Sequence, residues 1–237
     1  MTLPLLTPSV ALFLDFDGTL APIQPDPDTV SLPEGGAEVL LRLAEKLDGA
    51  LVILSGRDVR DLALRIPDGL WRAGGHGAYV CPPGTAPPQI LPDAPASLAA
   101  ALSALIQDMP SVRVEPKGPV LAVHYRQAPE QAARLEAGIS TLLEAFPDYT
   151  LQSGKMVIEA RPVSAHKGNC VRELMTHAPF AGRTPVMVGD DTTDEDAMRA
   201  TLEAGGSAIK VGPGVTAAPL RLADPSSVWD WLKKGLT

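Results

Sequence analysis

Short apolar runs alternate with amphipathic segments in the first and the last third of the 237-residue chain. Short apolar runs predict buried strands, and apolar residues at helical spacing predict helices. In the first third the predicted strands are Leu12–Phe16, "ALVILSG" and "LWRAGGHGAYV", separated by helices in "PEGGAEVLLRLAEKL" and "RDVRDLALRI". In the last third the strands "TPVMVGDD" and "SAIKVG" alternate with the helices "KGNCVRELMTHA", "TDEDAMRATLEAG" and "SSVWDWLKKG". This alternation predicts an α/β fold, a parallel sheet with helices on its faces.

The middle of the chain has a different pattern. Two amphipathic helices are predicted in "SLAAALSALIQDM" and "PEQAARLEAGISTLLEAF", and two hairpins in "VRVEPKGPVLAVHYR" and "YTLQSGKMVIEAR", with turns at "PKGP" and "SGK". Two helices over an antiparallel sheet make an α+β unit of roughly 80 residues, within the size range of a small domain. We therefore expect a core domain built from residues 1–78 and 161–237, with an α+β domain, residues 79–160, inserted between its halves.

Composition and charge narrow the class of protein. The chain is 45% apolar and 20% charged, with a formal net charge of -8 and no basic run, which argues against binding to nucleic acid or anionic membranes. Cys81 and Cys170 have no metal-site or redox spacing and fit a reducing cytosol. No Lys or Arg precedes the first apolar residues, as a signal peptide would require, and no apolar stretch is long enough to span a bilayer. We expect a cytoplasmic monomer that acts on a small molecule.

Three apolar strands end in polar, glycine-adjacent sequences, "DFDGT", "SGR" and "GDDTTDED". Ligands of open parallel sheets bind beyond the carboxyl ends of the strands, so we expect these three ends to form one site. Asp15 and Asp17 stand two residues apart, and in a strand this spacing places both side chains on the same face. The expected site contains Asp15, Asp17, Ser55, Arg57, Asp190, Asp191 and Asp194.

Carboxylates gathered at one edge repel each other unless a cation lies among them. Oxygen-only ligands favour Mg²⁺ over zinc. The Ser55 hydroxyl, the Gly56 amide and the amides of Gly18 and Thr19 can donate to phosphoryl oxygens. A carboxylate can also attack phosphorus and form an aspartyl-phosphate. The residue types therefore predict magnesium-dependent phosphoryl transfer.

The segments "DFDGT", "SGR", "HKG" and "GDDTTDED", in this order, resemble the four motifs of the haloacid dehalogenase superfamily of phosphatases. The resemblance implies a Rossmann-like core with Asp15 as nucleophile and Asp17 as general acid and base. It also implies that Ser55 binds phosphate and that Lys167 neutralises both nucleophile and phosphate. The implied metal ligands are the Asp15 carboxylate, the Asp17 backbone carbonyl and Asp190, with Asp191 and Asp194 close to the metal or its waters.

The inserted unit stands where this superfamily carries a C2-type cap that supplies substrate specificity. Further strings, "GGHGAYV", "VEPKGPVLAVHYR", "SGKMVIEARP" and "AIKVGPG", resemble the trehalose-6-phosphate phosphatase family across nearly the whole chain, although Asp196 stands where that family often has Gly or Ala. The resemblance implies hydrolysis of trehalose 6-phosphate to trehalose and phosphate, with the cap closing over the core to grip the distal glucose ring. The implied substrate-binding residues are Arg57, His76, Gly77, Glu115, Lys117, His124, Arg126, Lys155 and Glu159.

Several alternatives stay open at this level. Another capped sugar phosphatase, for sucrose phosphate or mannosyl-3-phosphoglycerate, would share the core motifs, as would a mutase or a non-catalytic sugar-phosphate sensor. Ser55 and the Asp and Thr residues of "GDDTTDED" also suit helix starts. Charges on one face of a hairpin, such as Glu115 and His124, are often simply solvated.

Overall fold

The computed structural model describes residues 2–154 and 156–237. The chain divides into two compact units, Met1–Pro87 with Ala165–Thr237, and Pro88–Ser164. Both boundaries lie C-terminal to the expected positions 79 and 161. The reason is that Tyr79–Cys81 pairs with Trp71–Gly74 in the sheet of the first unit, while the last strand of the second unit continues to Pro162.

Regular elements cover most of the described chain. The strands are β1 (Val10–Leu14), β2 (Leu51–Leu54), β3 (Trp71–Gly74), β4 (Tyr79–Cys81), β5 (Arg113–Lys117), β6 (Val120–His124), β7 (Tyr149–Gly154), β8 (Val157–Pro162), β9 (Thr184–Gly189), β10 (Ser207–Val211) and β11 (Leu220–Leu222). The α-helices are α1 (Gly36–Lys46), α2 (Val59–Arg65), α3 (Ala96–Leu105), α4 (Ala132–Leu143), α5 (Lys167–Leu174), α6 (Thr192–Glu203) and α7 (Pro225–Lys234). Within the described residues, no helix is long and apolar enough to cross a membrane.

The first unit is built on a sheet with the strand order β11-β10-β9-β1-β2-β3-β4. All neighbouring strands run parallel except β4, which pairs antiparallel with β3. The predicted parallel sheet is therefore confirmed. The antiparallel edge strand β4 and the strand β11 were not separated from their surroundings in the sequence, because each has only three residues and shows no period.

Both faces of this sheet are buried, which explains why β1 is apolar without interruption. Val10, Leu12 and Leu14 belong to a core that includes residues of α1 and α7. Ala11 and Phe13 belong to a second core formed with α5 and α6. Full burial of a large apolar side chain contributes about 1.5–3 kcal/mol, so both layers stabilise the strand whose end carries Asp15.

The second unit is an antiparallel sheet, in the order β5-β6-β8-β7, with the helices α3 and α4. Both predicted hairpins are present, because Lys117 pairs with Val120 and Gly154 pairs with Val157. Its core contains alternate residues of the central strands, among them Leu121, Val123 and Ile158, together with the buried faces of both helices. This unit therefore has a hydrophobic core of its own.

Candidate active site

The carboxyl edge of the parallel sheet collects the polar ends of three strands. Asp15 follows β1, Ser55 follows β2 and Asp190 follows β9, and these three strands are neighbours in the sheet. We call the five aspartates at this edge, Asp15, Asp17, Asp190, Asp191 and Asp194, the acidic edge. Its members make different contacts, and those contacts decide what each can do.

Lys167 is the buried cation of the acidic edge. It is the first residue of α5, is 2% exposed, and donates from Nζ to Asp15 Oδ1 and Asp194 Oδ1, both at 2.7 Å. Burial disfavours its charge, but the charges of Asp15 and Asp194 outweigh burial and raise the pKa of Lys167. Lys167 is therefore an ammonium ion that holds one oxygen of Asp15 in place.

Asp194 is fully engaged by N–H donors. Its second oxygen, Oδ2, accepts from the backbone amides of Asp190 at 2.9 Å and Asp191 at 3.0 Å. Gly189 makes this possible, since a Cβ there would lie 2.3 Å from Asp194 Cγ. Asp194 therefore ties Lys167 to the loop after β9, and its oxygens are already satisfied.

Asp191 begins the helix α6 as its N-cap. Its Oδ1 accepts from the amides of Thr193 at 2.8 Å and Asp194 at 3.2 Å, and from the Thr193 hydroxyl at 2.7 Å. Burial opposes ionisation, but the Lys167 charge and the Thr193 hydrogen bonds lower the pKa of Asp191. The helix-start interpretation therefore holds for Asp191, whose other oxygen, Oδ2, accepts no hydrogen bond among the described residues.

Asp15 and Asp190 are the carboxylates best placed to hold a cation. One carboxylate oxygen from each of Asp15, Asp190 and Asp194 lies within 4.8 Å of the others. Among the described residues, no hydrogen bond reaches the Asp190 carboxylate or Asp15 Oδ2. Burial, and repulsion from neighbouring carboxylates, raise the pKa values of both Asp15 and Asp190. A hard divalent cation fits such a cluster of oxygen donors, since it would offset the repulsion.

A second buried lysine, Lys210, binds the backbone carbonyl of Asp190. Lys210 lies at the end of β10, is 4% exposed, and donates from Nζ to the backbone carbonyls of Asp190 and Val211. A lysine inside the apolar run "AIKVG" was a signal in the sequence, but no role was assigned to it. Lys210 fixes the chain at Asp190 and places a positive charge near its carboxylate.

The predicted phosphate-binding residues fall into two groups. Ser55 is 1% exposed, and its Oγ accepts from the Arg57 amide at 3.1 Å, which leaves the hydroxyl hydrogen available for a ligand. The Gly18 amide is already engaged by the carbonyl of Ala21 at 2.7 Å. Gly18 has φ 79°, and a Cβ there would lie 2.2 Å from Asp190 Oδ2, so this glycine permits the close approach of Asp190.

Thr19 is fully buried in the turn after β1. Its hydroxyl has no hydrogen-bond partner among the described residues, and its amide is 3.4 Å from the Phe16 carbonyl. Gly18 and Thr19 thus shape the turn, while Ser55 presents a free donor.

His76 and Gly77 hold the loop after β2. His76 donates its amide to the Ser55 carbonyl at 2.9 Å, and its ring lies so close to Gly56 that a Cβ there would be 2.6 Å from Cε1. A Cβ on Gly77 would lie 2.4 Å from Cys170 Cβ. Gly56, His76 and Gly77 therefore fix the backbone around Ser55.

Arg57 contacts Asp17, a pairing that the sequence did not predict. Its Nε donates to Asp17 Oδ2 and its Nη2 to Asp17 Oδ1, both at 2.7 Å. Nη1 donates to Asp61 Oδ2 at 2.8 Å. Asp61 is four residues from Arg57 in the sequence. This spacing is typical of ion pairs in helical segments and could have indicated the Arg57–Asp61 contact. The hydrogen bonds that Arg57 donates to Asp17 are the main cause of a raised pKa for Arg57.

The predicted sugar-binding residues of the second unit are only partly grouped. His124 Nε2 lies 2.6 Å from Glu115 Oε2, and Lys117 Nζ lies 3.9 Å from Glu159 Oε1. Glu115 is opposite Ala122, which is in turn opposite Glu159, so all four charged side chains belong to one face of the sheet. Arg126 is exposed in the turn after β6, and Lys155 lies outside the described residues.

A cavity of about 580 Å³ adjoins this face within the second unit, and its lining includes Arg113, His124, Arg126 and Gln127. Asp196, where the sequence departs from the family pattern, has Oδ2 3.1 Å from His166 Nε2 and Oδ1 3.3 Å from Arg199 Nη1. Both oxygens of this carboxylate therefore pair with residues outside the acidic edge.

The chain has the fold of solved haloacid dehalogenase-like proteins. A solved haloacid dehalogenase-like hydrolase from Bacteroides thetaiotaomicron has the same fold, with a TM-score of 0.65 at 13% identity over 95% of this chain and 98% of that one. A trehalose-6-phosphate phosphatase from Aspergillus fumigatus superposes with a TM-score of 0.78 at 24% identity, covering 98% and 96% of the two chains.

Sequence comparison identifies the family within this class. Residues 13–226 match the trehalose-phosphatase family. A trehalose-6-phosphate phosphatase of Escherichia coli (strain K12) is 40% identical over 233 residues, which is 97% of this chain and 88% of that protein. The chain belongs to the trehalose-phosphatase family, and the resemblance found in its motifs is confirmed.

Proposed function

We propose that the protein is a magnesium-dependent phosphatase that hydrolyses trehalose 6-phosphate to trehalose and phosphate through an aspartyl-phosphate on Asp15. The observation that carries this proposal is the buried Lys167, whose Nζ lies 2.7 Å from both Asp15 and Asp194 at the carboxyl edge of the sheet. Family membership and the relative named trehalose-6-phosphate phosphatase support the choice of substrate.

Asp15 is the proposed nucleophile. Lys167 fixes its Oδ1, while Oδ2 has no hydrogen bond among the described residues. An oxygen of this carboxylate attacks phosphorus as the bond from phosphorus to the sugar oxygen breaks. The Lys167 ammonium and the Ser55 hydroxyl stabilise the negative charge of the transferring group.

Asp17 is the proposed general acid and base. It gives a proton to the leaving sugar oxygen, then takes one from the water that attacks the aspartyl-phosphate and releases Asp15. Mg²⁺, held by the carboxylates of Asp15 and Asp190 and by the Asp17 carbonyl, would supply charge neutralisation to the phosphoryl oxygens. Asp191 and Asp194 would act on the metal site through the backbone and Lys167 that they hold.

The second unit is the proposed specificity domain. Its charged sheet face presents Glu115, Lys117, His124 and Glu159, which suit the many hydroxyls of a disaccharide. We assign Arg126 and Lys155 to the same function from their places in the sequence.

A phosphate-release assay over a panel of sugar phosphates tests the proposal. With Mg²⁺ present, trehalose 6-phosphate is expected to be hydrolysed faster than sucrose phosphate or mannosyl-3-phosphoglycerate, and a chelator is expected to stop the reaction. Rapid release from another ester beside poor turnover of trehalose 6-phosphate would overturn the substrate assignment.

The nucleophile assignment has its own test. Asp15→Asn is expected to abolish phosphate release, because an amide cannot form the aspartyl-phosphate. Circular dichroism of the variant is expected to match that of the unmodified protein. Phosphate release at the unmodified rate would refute the role of Asp15.

A further inference from the structure

Arg57 and Asp17 form a two-point ion pair. The guanidinium meets both carboxylate oxygens through Nε and Nη2 at 2.7 Å each. Its side chain is 11% exposed, against 36% for Asp17, so the arginine is the more buried partner. Such paired hydrogen bonds fix both position and plane of a carboxylate.

Arg57 is itself held rigidly. Nη1 donates to Asp61 at 2.8 Å, Nη2 also donates to the Pro27 carbonyl at 2.9 Å, and the guanidinium carbon lies 5.5 Å from the centre of the Phe16 ring. Asp61 is fixed in turn by Arg65, at 2.8 Å. The helix α2 therefore anchors the position of Asp17.

Most N–H donors of Arg57 are already engaged by protein groups and are not available to a sugar. A guanidinium has five N–H donors. The contacts with Asp17, Asp61 and Pro27 engage Nε–H, one Nη1–H and both Nη2–H groups. In this arrangement Arg57 has one donor left, so its place in the predicted sugar-binding set does not match its contacts.

The pairing has a consequence for proton transfer. Both oxygens of Asp17 accept hydrogen bonds from Arg57 here, so the pairing fixes the plane of the carboxylate. To act as the acid, Asp17 must carry a proton and release at least one oxygen from Arg57. When the bond from phosphorus to the sugar oxygen breaks, that proton passes to the sugar oxygen, and Asp17 becomes the carboxylate that Arg57 holds.

The second half of the reaction restores the proton. Water adds its oxygen to phosphorus, the bond between phosphorus and Asp15 breaks, and the water's proton passes to Asp17. The proton taken in one turnover is thus the proton given in the next. We infer that Arg57 is a positioning residue that fixes the place and plane of the Asp17 carboxylate for the water-attack step, and not a ligand of the sugar. This inference rests on the proposed function, in which Asp17 is the acid and base.

Two substrates with different leaving groups test the inference. The sugar alkoxide needs a proton to leave, whereas p-nitrophenolate leaves p-nitrophenyl phosphate without one. Arg57→Met keeps much of the aliphatic part of the side chain next to Phe16 but removes the guanidinium group and its paired hydrogen bonds. Arg57→Lys keeps the positive charge but cannot donate to both oxygens of Asp17 in the same geometry. Arg60→Met is the matched control, because Arg60 makes a similar pair with the exposed Asp58.

For Arg57→Met we expect kcat to fall about 10- to 100-fold on both substrates, within the range of general acid–base contributions. The KM for trehalose 6-phosphate is expected to stay within about threefold. Rapid mixing is expected to show a p-nitrophenolate burst of about one equivalent per site, because water attack has become slow while aryl release has not. Arg57→Lys is expected to be intermediate, and Arg60→Met unchanged.

Two results would overturn the inference. A large rise in KM for the sugar phosphate, with unchanged turnover of p-nitrophenyl phosphate, would make Arg57 a sugar ligand. Equal loss of first-turnover and steady-state rates would show a general disturbance of the site. Failure of the proposed function would be recognised by different results. Either an unmodified protein that lacks activity on trehalose 6-phosphate or an active Asp15→Asn variant would contradict the proposed function, whatever the Arg57 variants do.

Discussion

Single hydrogen bonds decide which carboxylates of the acidic edge remain available to a metal. Asp17 is paired with Arg57, Asp191 caps α6, and Asp194 accepts from three N–H groups. The Asp190 carboxylate accepts from no described residue, and Asp15 uses only one oxygen. Among the described residues, Asp15, Asp190 and Asp191 therefore each keep a carboxylate oxygen that accepts no hydrogen bond, whereas both oxygens of Asp17 and Asp194 are engaged.

Asp190→Asn is expected to remove the stabilisation that comes from bound Mg²⁺ without lowering the stability of the metal-free protein. Excess Mg²⁺ is expected to raise the thermal midpoint of the unmodified protein by about 5–10 °C at a hundredfold excess over Kd. Asp190→Asn is expected to lose this shift. Without the metal it is expected to be at least as stable as the unmodified protein, because one charge of a repulsive cluster is gone.

The matched control for this experiment is Asp196→Asn. Asp196 pairs with His166 and Arg199 away from the candidate ligands, so the variant is expected to keep the full magnesium shift. Differential scanning fluorimetry with and without a chelator measures both. A full shift in Asp190→Asn would contradict the ligand assignment.

The sequence predicted which residues meet at the sheet edge better than it predicted what they contact. The alternation of elements predicts a parallel sheet, and parallel strands bring Asp15, Ser55 and Asp190 to one edge. The Arg57–Asp17 pair depends instead on rotamers and on the path of the loop near Pro27, about which residue spacing carries no information.

Helix starts carry much of the site at the scale of elements. The first turn of α5 supplies Lys167, and the capping box of α6 supplies Asp191 and Asp194. The cap Asp191 accepts from the amides of Thr193 and Asp194. The Asp194 carboxylate, which holds Lys167, accepts in turn from the amides of Asp190 and Asp191. The capping and catalytic interpretations of "GDDTTDED" are therefore compatible in one structure.

The terminal helix α7 anchors the turn that follows Asp17. Trp229 Nε1 donates to the Leu20 carbonyl at 2.8 Å, in a fully buried setting. Trp229→Phe is expected to lower the free energy of unfolding by about 1–3 kcal/mol, because the carbonyl loses its donor without access to water. It is also expected to lower kcat, because this turn positions Asp17.

Trp231→Phe is the comparison within the same helix. Trp231 Nε1 donates to the Pro4 carbonyl at 3.1 Å, and Pro4 is partly exposed, so water can replace the lost donor. Urea unfolding at constant m-value and steady-state kinetics measure both variants. Equal loss of stability and of kcat in the two variants would show that the Leu20 contact has no special role.

The whole molecule combines two units, each with its own hydrophobic core. The change from alternating strands and helices to paired hairpins showed the insertion in the sequence, since each pattern predicts a different sheet. The unit boundaries were less predictable. The edge strand β4 continues the first sheet antiparallel, and an edge strand of three residues has no sequence period that marks it.

If the second unit selects the sugar, its variants should affect sugar esters alone. Glu115 lies in the middle of β5, with its Oε2 2.6 Å from His124 Nε2 on the charged sheet face, and is distant in sequence from the acidic edge. Glu115→Ala is expected to raise KM for trehalose 6-phosphate about tenfold, because hydrogen bonds that a sugar hydroxyl donates to an ionised group contribute roughly 1.5–3 kcal/mol. Turnover of p-nitrophenyl phosphate, which has no sugar, is expected to be unchanged.

Glu144→Ala, at an exposed position after α4, controls for the loss of one charge from this unit. If Glu115→Ala impairs both esters equally, this carboxylate supports phosphoryl transfer and the proposed division between the units is wrong.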